Sequence, residues 1–190
     1  MKKNQILSLI RKPSLIIGLL VMVITFYQCT PTAIVEVADP EINGIVLYRV
    51  NGTTIIDSFK AIDYTSSGKA IVPDTIKLSD STTYNFKLKF FSYNPVTKVL
   101  TDVTPAIVAL GAEHEAFYTP STSNITITKT DVDKNNNPLG FNTTWVVTTA
   151  GNLNVAFFLR HIPTGKTNNS ATNASLGGND ISISFPTVIK

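Results

Sequence analysis

The stretch TYNFKLKFFSY, residues 83–93, alternates without a slip. Tyr84, Phe86, Leu88 and Phe90 fall on one side, and Asn85, Lys87 and Lys89 on the other. A period of two with one apolar and one wet face marks a half-buried β-strand; a helix would repeat every three or four residues. The pattern recurs on both sides of this stretch. GIVLYRV (44–50) and TTIIDSF (53–59) flank Asn51-Gly52, a pair that accepts positive φ and predicts a tight hairpin. SNITITKT, TTWVVTT, LNVAFFLRH and ISISFPTVI follow, rich in the β-branched and aromatic residues that suit strands. Trp145 and Val147 share a face, which predicts that the single tryptophan is buried between two sheets. Polar clusters such as DKNNNPLG and PTGKTNNSATNASLGGN punctuate the runs as turns. Only the segment from Thr104 to Glu115 offers a helix start, with Thr104 as cap and Pro105 in the first turn. Many short strands with this spacing predict an all-β fold, an immunoglobulin-like or related antiparallel β-sandwich. Residues 42–103 and 113–190 are expected to supply one sheet each.

The chain begins differently. Residues 1–12 carry Lys2, Lys3, Arg11 and Lys12 and no acid, and residues 13–27 carry no charge at all. A basic start before an apolar run of this length reads as a secretory signal. The run is short of the roughly 20 apolar residues of a membrane span, which leaves a single-span anchor as the lesser alternative. The only cysteine, Cys29, closes the run and resembles the lipidated cysteine of a bacterial lipoprotein, although Tyr27 and Gln28 stand where small residues are usual. With no second cysteine, an internal disulfide is impossible. The expected organisation is a lipoprotein signal peptide over 1–28, a lipid-anchored tether over 29–41, and a β-sandwich domain over 42–190. The chain holds 16 basic and 13 acidic residues, and four of the bases lie before Cys29, so the remainder carries 12 against 13. Nothing in that balance points to nucleic acid.

Few residues carry chemistry. His114 sits between Glu113 and Glu115, and His161 closes the strand LNVAFFLRH. Two imidazoles with a carboxylate make a plausible metal set, so His114, His161 and Glu113 are candidate ligands. Alternation along a strand puts Glu113 and Glu115 on the face opposite His114. The pair of histidines meets only if adjacent antiparallel strands bring their ends together; otherwise both imidazoles simply hydrogen-bond at loop ends. Asp131, Asp133 and Asn135 occupy the first, third and fifth positions of a calcium-loop pattern, but Asn136 replaces its glycine and Asn142 its bidentate glutamate. A polar turn is the plainer reading of that loop. Asp74-Thr75-Ile76 and Asp80-Ser81-Thr82 resemble the short O-glycosylation pattern of exported Bacteroidota proteins, which makes Thr75 and Ser81 candidate acceptors. No nucleophile elbow, zinc-protease helix or glycine-rich phosphate loop is present, so neither enzymatic activity nor a resident cofactor is expected.

Several of these motifs occur together in one order: a tyrosine-bearing strand (Tyr84), a Glu113-His114 turn, the loop with Asp131, Asn137, Pro138 and Gly140, the Trp145 strand, and Leu159-Arg160-His161. In this the chain resembles a family of uncharacterised Bacteroidota cell-envelope lipoproteins. The resemblance implies an outer-membrane lipoprotein, often encoded beside TonB-dependent transporters, and no established activity. The resulting expectation is a non-enzymatic accessory or structural subunit, anchored by lipid on Cys29 beside an integral outer-membrane partner. The alternative is a small-ligand or metal-capturing module built on His114 and His161. The leaflet, periplasmic or surface, stays open.

Overall fold

The computed structural model describes residues 40–65 and 71–190. Residues 1–28, expected to be a signal peptide, Cys29 and nearly all of the expected tether (29–41) lie outside the described residues. The strands are β1 (Gly44–Asn51), β2 (Thr54–Ile62), β3 (Ile76–Leu78), β4 (Thr83–Asn94), β5 (Val99–Asp102), β6 (His114–Pro120), β7 (Ile125–Lys129), β8 (Asn142–Val147), β9 (Gly151–His161) and β10 (Gly178–Ile189). Among the described residues two short helices interrupt them, α1 (Thr104–Ala109) and α2 (Ser170–Asn173). One sheet runs β2-β1-β4-β8-β7 with β5 also paired to β4, and the other runs β3-β10-β9-β6. All pairings are antiparallel except β3 with β10. The all-β sandwich expected from the alternating runs is what the chain forms.

The alternation in residues 83–93 decides the packing as well. Phe86, Leu88 and Phe90 are fully buried on β4, while Asn85 and Lys87 stay exposed. Phe86 packs 4.5 Å from Trp145 of the neighbouring β8, and Phe90 reaches Phe157 of the opposite sheet at 6.4 Å between ring centres. Trp145 has no exposed surface, contacts Tyr118 across the sandwich, and donates its indole N–H to Thr143 Oγ1 at 2.9 Å. That bond satisfies the polar end of an otherwise apolar side chain. Burial of Trp145 between the sheets is as its strand parity predicts.

Three local expectations change. The first hairpin pairs Asn51 with Thr54, so its two-residue loop is Gly52-Thr53, and the positive φ of +58° belongs to Gly52. A register shift between Arg49 and Val50 leaves Ile56 of β2 as an extra, bulged residue, so that the loop closes with two residues. At α1 the cap position is Val103, with no side-chain cap. Thr104 lies inside the helix, and its hydroxyl accepts the Phe90 N–H at 2.9 Å, tying α1 to β4 instead. The two halves do not form one sheet each. β7 and β8 of the second half join the first sheet, and β3 of the first half joins the second. Strand pairing follows long-range burial, which local periodicity does not encode.

Candidate metal centre

Antiparallel pairing of β6 with β9 sets His114 directly opposite His161. The two imidazoles stack, with ring centres 4.8 Å apart and planes 16° from parallel. His114 is fully buried, while His161 lies at the rim with its side chain 24% exposed. The third member is Asp180, which the sequence reading passed over. Its carboxylate lies 3.2 Å from His114 Nε2 and 3.8 Å from His161 Nδ1. Glu113, just before β6, sends Oε2 to within 3.5 Å of His161 Nε2. Donor atoms of His114, His161 and Asp180 all fall within 4.8 Å of one another.

Asp180 reaches this position because β10 is bulged. Asn179 pairs with Arg160 and Ile181 with Leu159, so Asp180 is the extra residue. Simple alternation from Ile181, Ile183 and Phe185 would turn it to the outer face; the bulge re-aims it. The chain enters the bulge through Gly177, at φ +65°, whose missing side chain leaves room for the His161 carbonyl. The local signal was present in the sequence as Gly177-Gly178 ahead of an alternating strand, a pattern that points to a bulge or close backbone approach.

The protonation pattern of His114 carries the chemistry. Its Nδ1 lies 3.0 Å from the Leu110 carbonyl. A carbonyl only accepts, so Nδ1 bears the proton, and in the neutral ring Nε2 presents a lone pair. That lone pair faces the Asp180 carboxylate, and two acceptors at 3.2 Å need a positive charge between or upon them. A second proton on His114 supplies it; so does a metal ion. A backbone carbonyl on one ring nitrogen, with the other directed at the ligand, is the usual support for a metal-binding imidazole. Ligand atoms around zinc or copper sit at most roughly 4 Å apart, twice a bond of about 2.1 Å. The His114–Asp180 and His161–Asp180 separations already meet that limit, and the whole set lies within 4.8 Å.

Glu115 does lie opposite His114, as alternation predicts, but it is buried and paired with Lys129, Ser170 and Asn173. Glu113 departs from the prediction, because it precedes the strand and turns towards His161. The loop with Asp131, Asp133 and Asn135 commits its carboxylates to backbone N–H groups and to Lys166. Asp131 accepts N–H groups from Gly140, Phe141 and Asn142, plus the Asn142 side-chain amide. Asp133 Oδ1 accepts from Asn135 and Asn137, and Oδ2 faces Lys166 at 3.4 Å. Both carboxylates fix the hairpin backbone, as a polar turn requires, and Asn142 is a donor where the calcium pattern needs a carboxylate. Thr75 and Ser81 are both exposed, Ser81 in a turn at φ 49°. Among the described residues, no helix is long and apolar enough to cross a membrane. Comparison with protein families, curated proteins and solved structures finds no match to the chain.

Proposed function

We propose that the protein is a non-enzymatic cell-envelope module, held at the outer membrane by lipid on Cys29, that captures a transition-metal ion or a metal chelate. The observation that supports this most is the convergence of His114, His161 and Asp180, with His114 Nε2 turned towards the Asp180 carboxylate. Two imidazoles and a carboxylate suit zinc, copper, nickel or iron and not calcium or magnesium, which prefer all-oxygen shells. The partial exposure of His161 and Asp180 gives an ion a way in from solvent. Glu113 at the rim adds negative charge to the entrance.

The test is calorimetric titration of the purified full chain with zinc, copper and nickel salts. His161→Ala and Asp180→Ala are the informative variants, because both side chains are partly exposed and their loss leaves the core intact. Stoichiometric binding that both variants abolish is the expected result. No binding by the parent chain, or binding that neither variant weakens, overturns the reading.

An accessory role on a membrane partner is the second reading, and one observation favours it. Ile55 and Ile56 are 58% and 55% exposed on β2, which ends its sheet. Edge strands with exposed apolar residues are docking or aggregation sites unless covered. A mild-detergent pull-down of the native protein, compared with an Ile55→Lys/Ile56→Lys variant, tests it: an integral membrane protein recovered with the parent and lost from the variant supports docking through β2.

A further inference from the structure

The opposite face of β6 holds a second buried polar cluster with no part in the metal centre. Glu115 and Asn173 have no exposed surface. One Glu115 oxygen, Oε1, takes the Lys129 ammonium and the Ser170 hydroxyl; the other, Oε2, takes the Asn173 side-chain N–H at 2.6 Å. The Asn173 carbonyl oxygen accepts two donors, the Thr167 N–H at 2.9 Å and the Thr167 hydroxyl at 3.1 Å. The Phe117 ring lies 3.7 Å from Lys129 Nζ. A lysine amine, a carboxamide polarised at its oxygen and a carboxylate that touches both are thus enclosed together.

We propose that Lys129 and Asn173 form an intramolecular isopeptide bond, with Glu115 as the proton carrier. Lys129 passes a proton to the Glu115 carboxylate and attacks Asn173 Cγ with the freed lone pair. The negative charge that develops on Oδ1 is held by the Thr167 N–H and hydroxyl, the task of an oxyanion hole. The proton on Glu115 moves to Nδ2, the Cγ–Nδ2 bond breaks and ammonia forms, while the second proton of the attacking Lys129 nitrogen passes to the freed Glu115 carboxylate and departs with the ammonia as ammonium. An amine and a primary amide become a secondary amide and ammonia, with no oxidant or cofactor required. Burial holds the Lys129 ammonium below the usual lysine range against the pull of Glu115, which favours the neutral nucleophile. An open pocket lined by Phe117, Ile127, Lys129, Ser170 and Ala171 lies on the Lys129 side of the cluster.

The bond has a structural consequence. Lys129 ends β7 in one sheet, and Asn173 lies in the connection between β9 and β10 of the other. A link between them joins the two layers covalently. A chain with one cysteine cannot do this with an internal disulfide.

Peptide mapping of the folded full chain tests the proposal. The expected species is a branched peptide joining Lys129 to Asn173, lighter by one ammonia than its two parent peptides, with tryptic cleavage after Lys129 blocked. Glu115→Gln and Asn173→Ala should give linear peptides only, and Asn173→Asp should restore the link with loss of water instead. Circular dichroism confirms which variants fold, but the parent chain decides the matter alone. A free Lys129 amine and an intact Asn173 amide in full yield from the folded parent overturn the proposal, as does a cross-link between other residues.

Discussion

Replacing Gly177 by alanine tests whether the bulge builds the metal centre. A Cβ at this position would lie 1.8 Å from the His161 carbonyl oxygen and 2.8 Å from its carbon, with φ at +65°. Two costs follow. The left-handed conformation costs an L-residue roughly 1–2 kcal/mol. The clash adds to it, because the 1.8 Å approach has to open to 3.0 Å or more before the backbone is free of overlap. Asp180 follows three positions later, inside the bulge, so the displacement falls on the residue that bridges the two imidazoles. Loss of support around a metal ligand typically costs 10–100-fold in affinity. Gly165→Ala is the control: its φ is +80°, but nothing lies within 4 Å of the added carbon, so it carries the strain without the clash. Urea unfolding followed by circular dichroism, and zinc titration of each variant, provide the measurements. The expected order of stability is parent, then Gly165→Ala, then Gly177→Ala, with metal affinity falling only in the last. Equal midpoints for the two variants refute the clash. A destabilised Gly177→Ala that binds metal like the parent refutes the role of the bulge.

Trp145→Ala should cost about 3–5 kcal/mol, the usual loss for a fully buried large aromatic, here one packed 4.5 Å from Phe86; a shift worth less than about 1 kcal/mol in denaturant titration would mean that the core repacks around the gap. Lys89 and Asp102 lie 2.7 Å apart on neighbouring strands. Burial alone would raise the Asp102 pKa, but hydrogen bonds from Lys89 and Thr104 outweigh it and hold the carboxyl below its usual range. A carboxyl lowered in the folded state stabilises the fold above its unfolded pKa and loses that contribution as pH falls through the folded value. Lys89→Met should therefore flatten the acid limb of the stability curve, with an effect near neutral pH of no more than about 1 kcal/mol for so exposed a pair. A variant with the parent's pH profile would show that the pair contributes nothing.

Residues 83–93 were legible because a single local rule, alternation, decides both their conformation and the face they bury. The same rule placed Trp145 and Val147 inside and left Val146 out. It failed wherever a residue was inserted. The bulge at Ile56 shifted the pairing of the first hairpin, and the bulge at Asp180 reversed the face of the third candidate ligand. The two histidines were visible as strand-end residues of matching chemistry. Their pairing opposite one another depends on which strands neighbour, and that is settled by burial across the whole sandwich. Thr104 has the chemistry of a cap, yet its hydroxyl is taken by β4, because a tertiary partner competes with the local one. The resemblance to envelope lipoproteins supplied expectations of place and partner, not of geometry.

β6 shows why so polar a segment as AEHEAFY can serve as a buried strand. His114 and Glu115 are consecutive, point to opposite faces, and are both without exposed surface. Burying either without partners would cost several kcal/mol, so each face needs its own polar cover. Lys129 of β7 covers one face and the Leu110 carbonyl the other, and the passage from β9 into β10 contributes to both. It places Ser170 and Asn173 on Glu115, then returns through Gly177 to set Asp180 against His114. It also closes the outer edge of the strand. β6 ends its sheet, yet the Ala116 N–H donates to the Leu139 carbonyl at 2.8 Å and Lys166 Nζ donates to the His114 carbonyl at 2.8 Å. These bonds occupy ladder groups that an edge strand would otherwise offer to another chain. On β2 the Lys60 backbone N–H and carbonyl are likewise taken, by Asp74. Among the described residues, Ile55 pairs with β1 alone, Ile56 is bulged, and both keep their apolar side chains in solvent. The hairpin end of β2 is far in sequence from the histidines, so if the proposed metal capture and edge docking both hold, Asp180→Ala should abolish the first and Ile55→Lys/Ile56→Lys the second, each without the other.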